Sequence, residues 1–408
     1  MVSLEEQQLA NSFEKVFMGA AGSGGEPAAY LITYQGSGKI WDIQDDYADV
    51  TSTFLPSNTT SWAGSSENMH HPWQSNGYRS KYIGFGGWGR GASVGGAIWD
   101  INNLSSQWTG YNNYDGTVFN FGGTGNAIVT DLLPQGDSGN FFWFRINDTL
   151  EVGVNGITNP SSSNTGSQAS QLIANTTRVA KTWGDYIVYQ PEAASTVTLA
   201  SFNQSSGATS NITSDTDIDL YTSTCHPAIS KTGNVIAVLN NNPNTSSFIR
   251  VYDDYNITAY DGTGSKVLQG NSTAIELPSA VKSKATNAIS QTECIAISDD
   301  DRWIAAGYRN SSSPYWGIVV WDRNNSYAAT DITLPVGAGS NARVRGIVFY
   351  PDNDTFFVAG YANAQCVLCS ASGGSYTRNF SGFGADAESV MSSAMGATVL
   401  PPAWTDGY

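Results

Sequence analysis

The chain has 408 residues, of which 12% are aromatic and only 13% charged, with 43 glycines. A helical domain of this size carries more Lys, Glu and Leu, so an all-β fold is expected. Its 19 basic and 35 acidic residues, a net charge of −16, exclude nucleic acid as a partner, because phosphate contacts need clustered positive charge.

Taken in order, the elements begin with MVSLEEQQLANSFEKV, which is acidic and does not read as a secretory leader. Ser3 and Glu6 have capping-box spacing, so an N-terminal arm over 1–12, with a short helix at about 3–12, is expected. Apolar stretches then recur between Gly- and Asn-rich turns. No apolar run reaches the ~20 residues needed to cross a bilayer as a helix. The clearest unit is CIAISDDDRWIAAGYRN with GIVVWDRNN, residues 294–324. An apolar strand ends in Ser298, a polar turn follows at Asp299–Arg302, and two further apolar strands end in Trp321-Asp322. Weaker copies surround it at 227–256 and 344–370.

One strand type marks each unit: GKIWDIQ (38–44), GAIWDINN (96–103), FFWFRIND (141–148), TVTLASFN (196–203), FIRVYDD (248–254), GIVVWDR (317–323) and QCVLCS (365–370). Each is expected to be the third strand of its unit. Units of antiparallel strands repeating at tens of residues predict a radial fold, an all-β propeller over 13–385 with seven blades of mostly four strands. Six or eight blades also fit the spacing. The polar stretches NPSSSNTGSQAS (159–170) and NQSSGATSNITSDTD (203–217) read as surface loops. The last segment, 386–408, is expected to close the ring or dock onto a partner.

The pattern at 294–322, with Ile-Trp-Asp again at 40–42 and 98–100, resembles the WD-repeat propellers. The resemblance implies that fold. The Gly-His pair that opens such repeats is missing: the histidines are His70, His71 and His226, none preceded by Gly. The hydrogen-bond network that the pair supports in that family therefore does not carry over.

Few residues promise chemistry. The Trp-Asp pairs predict packing between blades and acceptors for turn amides. Asp299-Asp300-Asp301 reads as a solvated hairpin turn. Asp215, Asp217 and Asp219 space three carboxylates as a calcium loop does, but lack the glycine and distal Glu of such a loop. No cofactor is therefore expected. His70-His71 reads as a surface loop, and GFGGWGRG (84–91) as a flexible turn. Cys225, Cys294, Cys366 and Cys369 read as small core residues, with a Cys225–Cys294 bridge as the alternative. No GxSxG, P-loop or dinucleotide fingerprint occurs, so no enzyme is expected. Trp62, Trp73, Trp108, Tyr111 and Tyr114 form an aromatic set suited to stacking on a glycan or a protein partner. The competing reading is that they fill gaps between blades.

Thirteen Asn-x-Ser/Thr sequons and long polar loops resemble extracellular and phage virion proteins in composition. The expectation is a non-enzymatic structural or attachment subunit of an oligomeric assembly, in a virion or other extracellular setting and cytoplasmic before assembly. It would contact other protein subunits or a surface glycan. The alternatives are a carbohydrate-active propeller enzyme and an intracellular WD-repeat-type interaction scaffold.

Overall fold

In the computed structural model, the described residues are the strands named below, a short helix at Ser279–Lys282, and turns and short segments between them, from residue 30 to 400. Residues 1–29, 51–69, 101–127, 378–395 and 401–408, with shorter loops, lie outside them, and from 70 to 183 only the backbone is described. The expected N-terminal helix therefore falls outside the description.

The described strands form seven antiparallel sheets. The first contains β1 (Tyr30–Tyr34), β2 (Gly38–Asp42) and β3 (Ala48–Asp49); the second β4 (His70–Pro72), β5 (Tyr82–Gly87) and β6 (Gly96–Asp100). The third has β7 (Ile128–Pro134), β8 (Asn140–Ile146), β9 (Thr149–Gly156) and β10 (Ser167–Ala174). The fourth has β11 (Thr176–Trp183), β12 (Tyr186–Pro191), β13 (Val197–Phe202) and β14 (Thr209–Asp215). The fifth has β15 (His226–Ile229), β16 (Ile236–Leu239), β17 (Ile249–Tyr252) and β18 (Thr273–Ile275). The sixth has β19 (Ile295–Ile297), β20 (Trp303–Arg309), β21 (Trp316–Asp322) and β22 (Ala328–Thr333); the seventh β23 (Arg343–Phe349), β24 (Thr355–Tyr361), β25 (Val367–Ser370) and β26 (Tyr376–Thr377). A last strand, β27 (Gly396–Leu400), returns to the first sheet and pairs with β1, Tyr30 opposite Leu400.

Strands consecutive in sequence are neighbours in each sheet. Neighbouring sheets touch through their leading strands: β4 beside β7, β7 beside β11, β11 beside β15, β15 beside β19, β19 beside β23 and β23 beside β27. This is a propeller-like layout.

Six of the seven expected marker strands are third in their sheets. FFWFRIND is the exception. It is β8, the second strand, because β7 already supplies the first. Three further expectations are corrected by the backbone. Gly84–Gly87 lie in β5, with Gly86 opposite both Gly96 and His71, so that segment is strand rather than turn. His70-His71 belong to β4 rather than to a loop. Residues 167–170 and 209–215, read as loops, form β10 and β14. Both are outermost strands of their sheets, and an edge strand accepts Ser, Thr and Asn because one side faces water. Composition cannot separate such a strand from a loop.

The core lies between sheets. On β16, Ile236 and Val238 pack with Val188, Val197 and Leu199 of the fourth sheet. The alternate residues Ala237 and Leu239 belong to the large cluster that joins the fifth, sixth and seventh sheets. Successive side chains of a strand point to opposite faces, so a strand with both faces covered must be apolar throughout. β21 meets this demand from Trp316 to Trp321, all buried, and closes on the buried Asp322. Trp321 and Phe248 face each other between two sheets, ring centroids 6.3 Å apart.

Two glycines set how closely these layers approach. A Cβ at Gly307 would lie 2.9 Å from Cβ of Val344 on the next sheet. At Gly317 it would lie 2.4–2.7 Å from the Tyr308 ring, which crosses β21 so that its hydroxyl donates to Asp331 on β22 at 2.6 Å. Gly317→Ala is therefore expected to displace the ring and break that bond, at a cost of about 2–3 kcal/mol. Thermal melting checks this: the variant should melt several degrees lower, and adding Tyr308→Ala should cost less than the sum of the two single changes.

Candidate functional site

The best-defined polar surface is built by the turns at one end of the last sheets. In each meander the turn between the first and second strands and the turn after the third strand lie at the same end. Three first turns are equivalent: Ser230 to Val235, Ser298 to Trp303 and Tyr350 to Thr355. In each, the amide of the first residue donates to the carbonyl of the last, at 2.8–2.9 Å. Each also needs one left-handed residue, supplied by Gly233 (φ 76°), Asp301 (φ 63°) and Asn353 (φ 62°). Gly, Asn and Asp are the residues that tolerate this conformation. Ser230 and Ser298 reinforce their turns by accepting the amides of Val235 (3.1 Å) and Trp303 (2.9 Å) on their hydroxyls.

Hydrogen bonds then run from sheet to sheet along this rim. The Thr232 hydroxyl donates to Asp301 Oδ2 at 2.6 Å. The Asp300 amide donates to Asn353 Oδ1 at 2.9 Å. The Tyr350 and Tyr47 hydroxyls lie 3.0 Å apart, joining the seventh sheet to the first. The aspartate run was expected to be a solvated turn. It is a turn, but two of its members also bind neighbouring sheets, because the left-handed residue turns its side chain along the rim.

The Trp-Asp ends behave as structural devices. Trp41 and Trp321 are buried, and Asp42 accepts the amides of Gln44 (2.9 Å) and Asp45 (3.3 Å). Asp322 accepts the Asn324 amide at 3.0 Å and a two-pronged contact from Arg302, Nε at 3.1 Å and Nη2 at 2.8 Å. The guanidinium also stacks on Trp303, 4.3 Å from the ring centroid. The Arg302 contact holds the Asp322 carboxyl below its ordinary range against the opposing effect of burial. Asp354 is lowered too: burial pushes it upward, but bonds from the Ser372 side chain, the Ser370 hydroxyl (2.7 Å) and the Ser372 amide (2.5 Å) outweigh it.

Trp62, Trp73, Trp108, Tyr111 and Tyr114 all lie outside the described residues, as do Asp217 and Asp219. Asp215 is buried on β14 and accepts the Tyr252 hydroxyl at 2.8 Å, a bond from the fifth sheet to the fourth. Among the described residues no three His, Cys, Asp or Glu side chains cluster as metal ligands. Cys369 is buried and unbridged, and burial pushes its thiol up to about 12. Sequence reasoning missed the Tyr47–Tyr350 contact, although Trp-Asp followed by Tyr five positions on occurs at both 41–47 and 321–327.

No family model matches the chain, and no curated protein matches it. Solved structures do. The β-propeller domain of Cps50 (Swd1) from Myceliophteria thermophila is 12% identical with a TM-score of 0.51, over 84% of this chain and 93% of that one. A protein from Lactobacillus plantarum is 12% identical with a TM-score of 0.54, over 92% and 100%. At that identity the likeness establishes the propeller fold alone.

The lowered carboxyls give a pH dependence of known sign. A group whose folded-state pKa is depressed contributes stability above its unfolded value, about 3.9 for Asp, and that contribution is lost as pH falls through the folded value. Melting temperature should therefore hold from pH 7 to about pH 5 and decline in more acidic buffer. Asp322→Asn should lower it at pH 7 by the equivalent of about 1 kcal/mol, a small figure because the Arg302 side chain is 40% exposed. The same variant should have a shallower acid decline, and an unchanged decline would show that this contact does not govern it.

Proposed function

We propose that the seven sheets close into a seven-bladed propeller, completed by β27 in the first blade, that serves as a non-catalytic platform for protein partners. The observation that carries this reading is the rim. Its turns are locked to each other by hydrogen bonds between sheets, while Thr232, Asp300, Asn324, Asn325 and Asp45 remain exposed along it. A surface fixed before binding loses little freedom on association, which favours affinity. Its acceptors Asp42, Asp322 and Asp354 are engaged in holding turns, an architectural role rather than a catalytic one.

The propeller likeness supports the platform reading only as analogy, since one fold hosts many activities. Composition carried the virion expectation, and the aromatic set Trp62, Trp73, Trp108, Tyr111 and Tyr114, which lies outside the described residues, carried the glycan one. Neither the described residues nor the solved structures add to them, so the interaction-scaffold alternative takes first place.

The test is to identify a partner by crosslinking in the native source and re-form the complex from purified components. Direct binding should survive, and Asp45→Lys combined with Asn325→Lys should weaken it at least tenfold, about 1.4 kcal/mol, without lowering the melting temperature. Partner binding indifferent to rim charge would overturn the assignment of the surface. Hydrolysis of a polysaccharide by the purified chain, abolished by a single Asp→Asn change, would overturn the non-catalytic reading.

A further inference from the structure

The contact between the first and last sheets has a feature that strand pairing does not explain. Tyr47 follows β2 in a turn with φ 60°, a backbone conformation that bulky residues adopt rarely and at a cost. Its side chain is nonetheless buried, at 7% exposure, and its hydroxyl meets that of Tyr350, 5% exposed, at 3.0 Å. Tyr350 opens the β23–β24 turn of the seventh sheet. The backbone strain is thus held in place by a tertiary contact across the junction where β27 also lies beside β23 and β24.

The local geometry is encoded twice. Tyr327 stands five positions after Asp322, as Tyr47 stands five after Asp42. It has φ 59°, its amide donates to the Asp322 carbonyl at 2.8 Å, and its side chain packs against the core shared by the fifth to seventh sheets. The Trp-Asp turn therefore aims a tyrosine from a left-handed backbone in both places. At the first sheet its target is another tyrosine, on the sheet formed by the opposite end of the chain.

We infer that Tyr47 and Tyr350 form a latch that closes the seam between the first and last sheets, the place where the ring opens. This rests on the closed-ring reading proposed above. The latch acts beside the β1–β27 ladder: the ladder ties the chain ends together within one sheet, and the tyrosine pair ties that sheet to its neighbour. A chain that opens does so here first, because Tyr47 and β1 are held to Tyr350 and β27 by side-chain contact and strand pairing rather than by a chain connection.

Hydrogen exchange on the intact chain, read by mass spectrometry, tests the latch. In the parent protein the amides of β1 and β27 should be protected. Tyr350→Phe should raise their exchange about tenfold, the effect of losing one buried hydrogen bond, with β16, β20 and β21 unchanged. Tyr47→Phe combined with Tyr350→Phe removes the same bond, and its exchange should match that of Tyr350→Phe within about threefold. Unprotected β1 and β27 in the parent would overturn the closed ring itself. Protection there with no response to Tyr350→Phe, or an equal rise in every sheet, would overturn the latch and leave the ring standing.

Discussion

The architecture depends on contact between sheets, because among the described residues the strands of the fifth and sixth sheets cannot bury both their faces within their own sheet. β16, and β21 up to its closing Asp322, carry no polar side chain, so each has two faces to cover and needs a neighbour on both sides. The clusters that result cross sheet boundaries: one joins the fourth and fifth sheets, and the other the fifth, sixth and seventh. Stability of this kind is shared between adjacent units, as in other repeat folds. Apolar packing alone sets no register between sheets. At the rim, directional bonds do so, from Thr232 to Asp301, from Asp300 to Asn353 and between Tyr350 and Tyr47.

Those bonds use residues that the turns already require. A left-handed position admits Gly, Asn or Asp with little strain, and Gly233, Asp301 and Asn353 occupy the three equivalent places. Where the residue is Gly233, the neighbouring Thr232 makes the link to the next sheet. Where it is Asp301 or Asn353, its own side chain accepts the link. One backbone constraint thus yields both a closed turn and a contact between sheets. The Arg302–Asp322 fork adds a brace within the sixth sheet, connecting its first turn to the end of its third strand. It gives this sheet a polar network in which histidine takes no part.

Legibility in the sequence varied with the kind of residue. Third strands ending in aromatic and acidic residues were readable because a doubly buried strand must be apolar and its end must turn. Outer strands β10 and β14 were not, since Ser, Thr and Asn satisfy an exposed edge and a loop equally well. The glycines of β5 misled for a related reason: without side chains their only signal is backbone freedom, and pairing with β4 and β6 uses the backbone alone. Within the candidate site, the Trp-Asp pairs and the aspartate turn were legible as structural features. The bonds between Thr232 and Asp301, 69 positions apart, were not, because nothing local specifies which distant residue meets a turn.

The sequence by itself determined that this chain is acidic and rich in strands, built of repeated antiparallel units. Periodicity and turn chemistry are local properties, and composition is a global one, so neither needs a fold to be read. The tertiary structure alone decided which turns meet along the rim, that the aspartate run bridges sheets, and that Tyr47 in its strained turn finds Tyr350, 303 positions away. Such meetings depend on the rotation of each sheet against the next, which arises only when both apolar faces of a strand have found their neighbours.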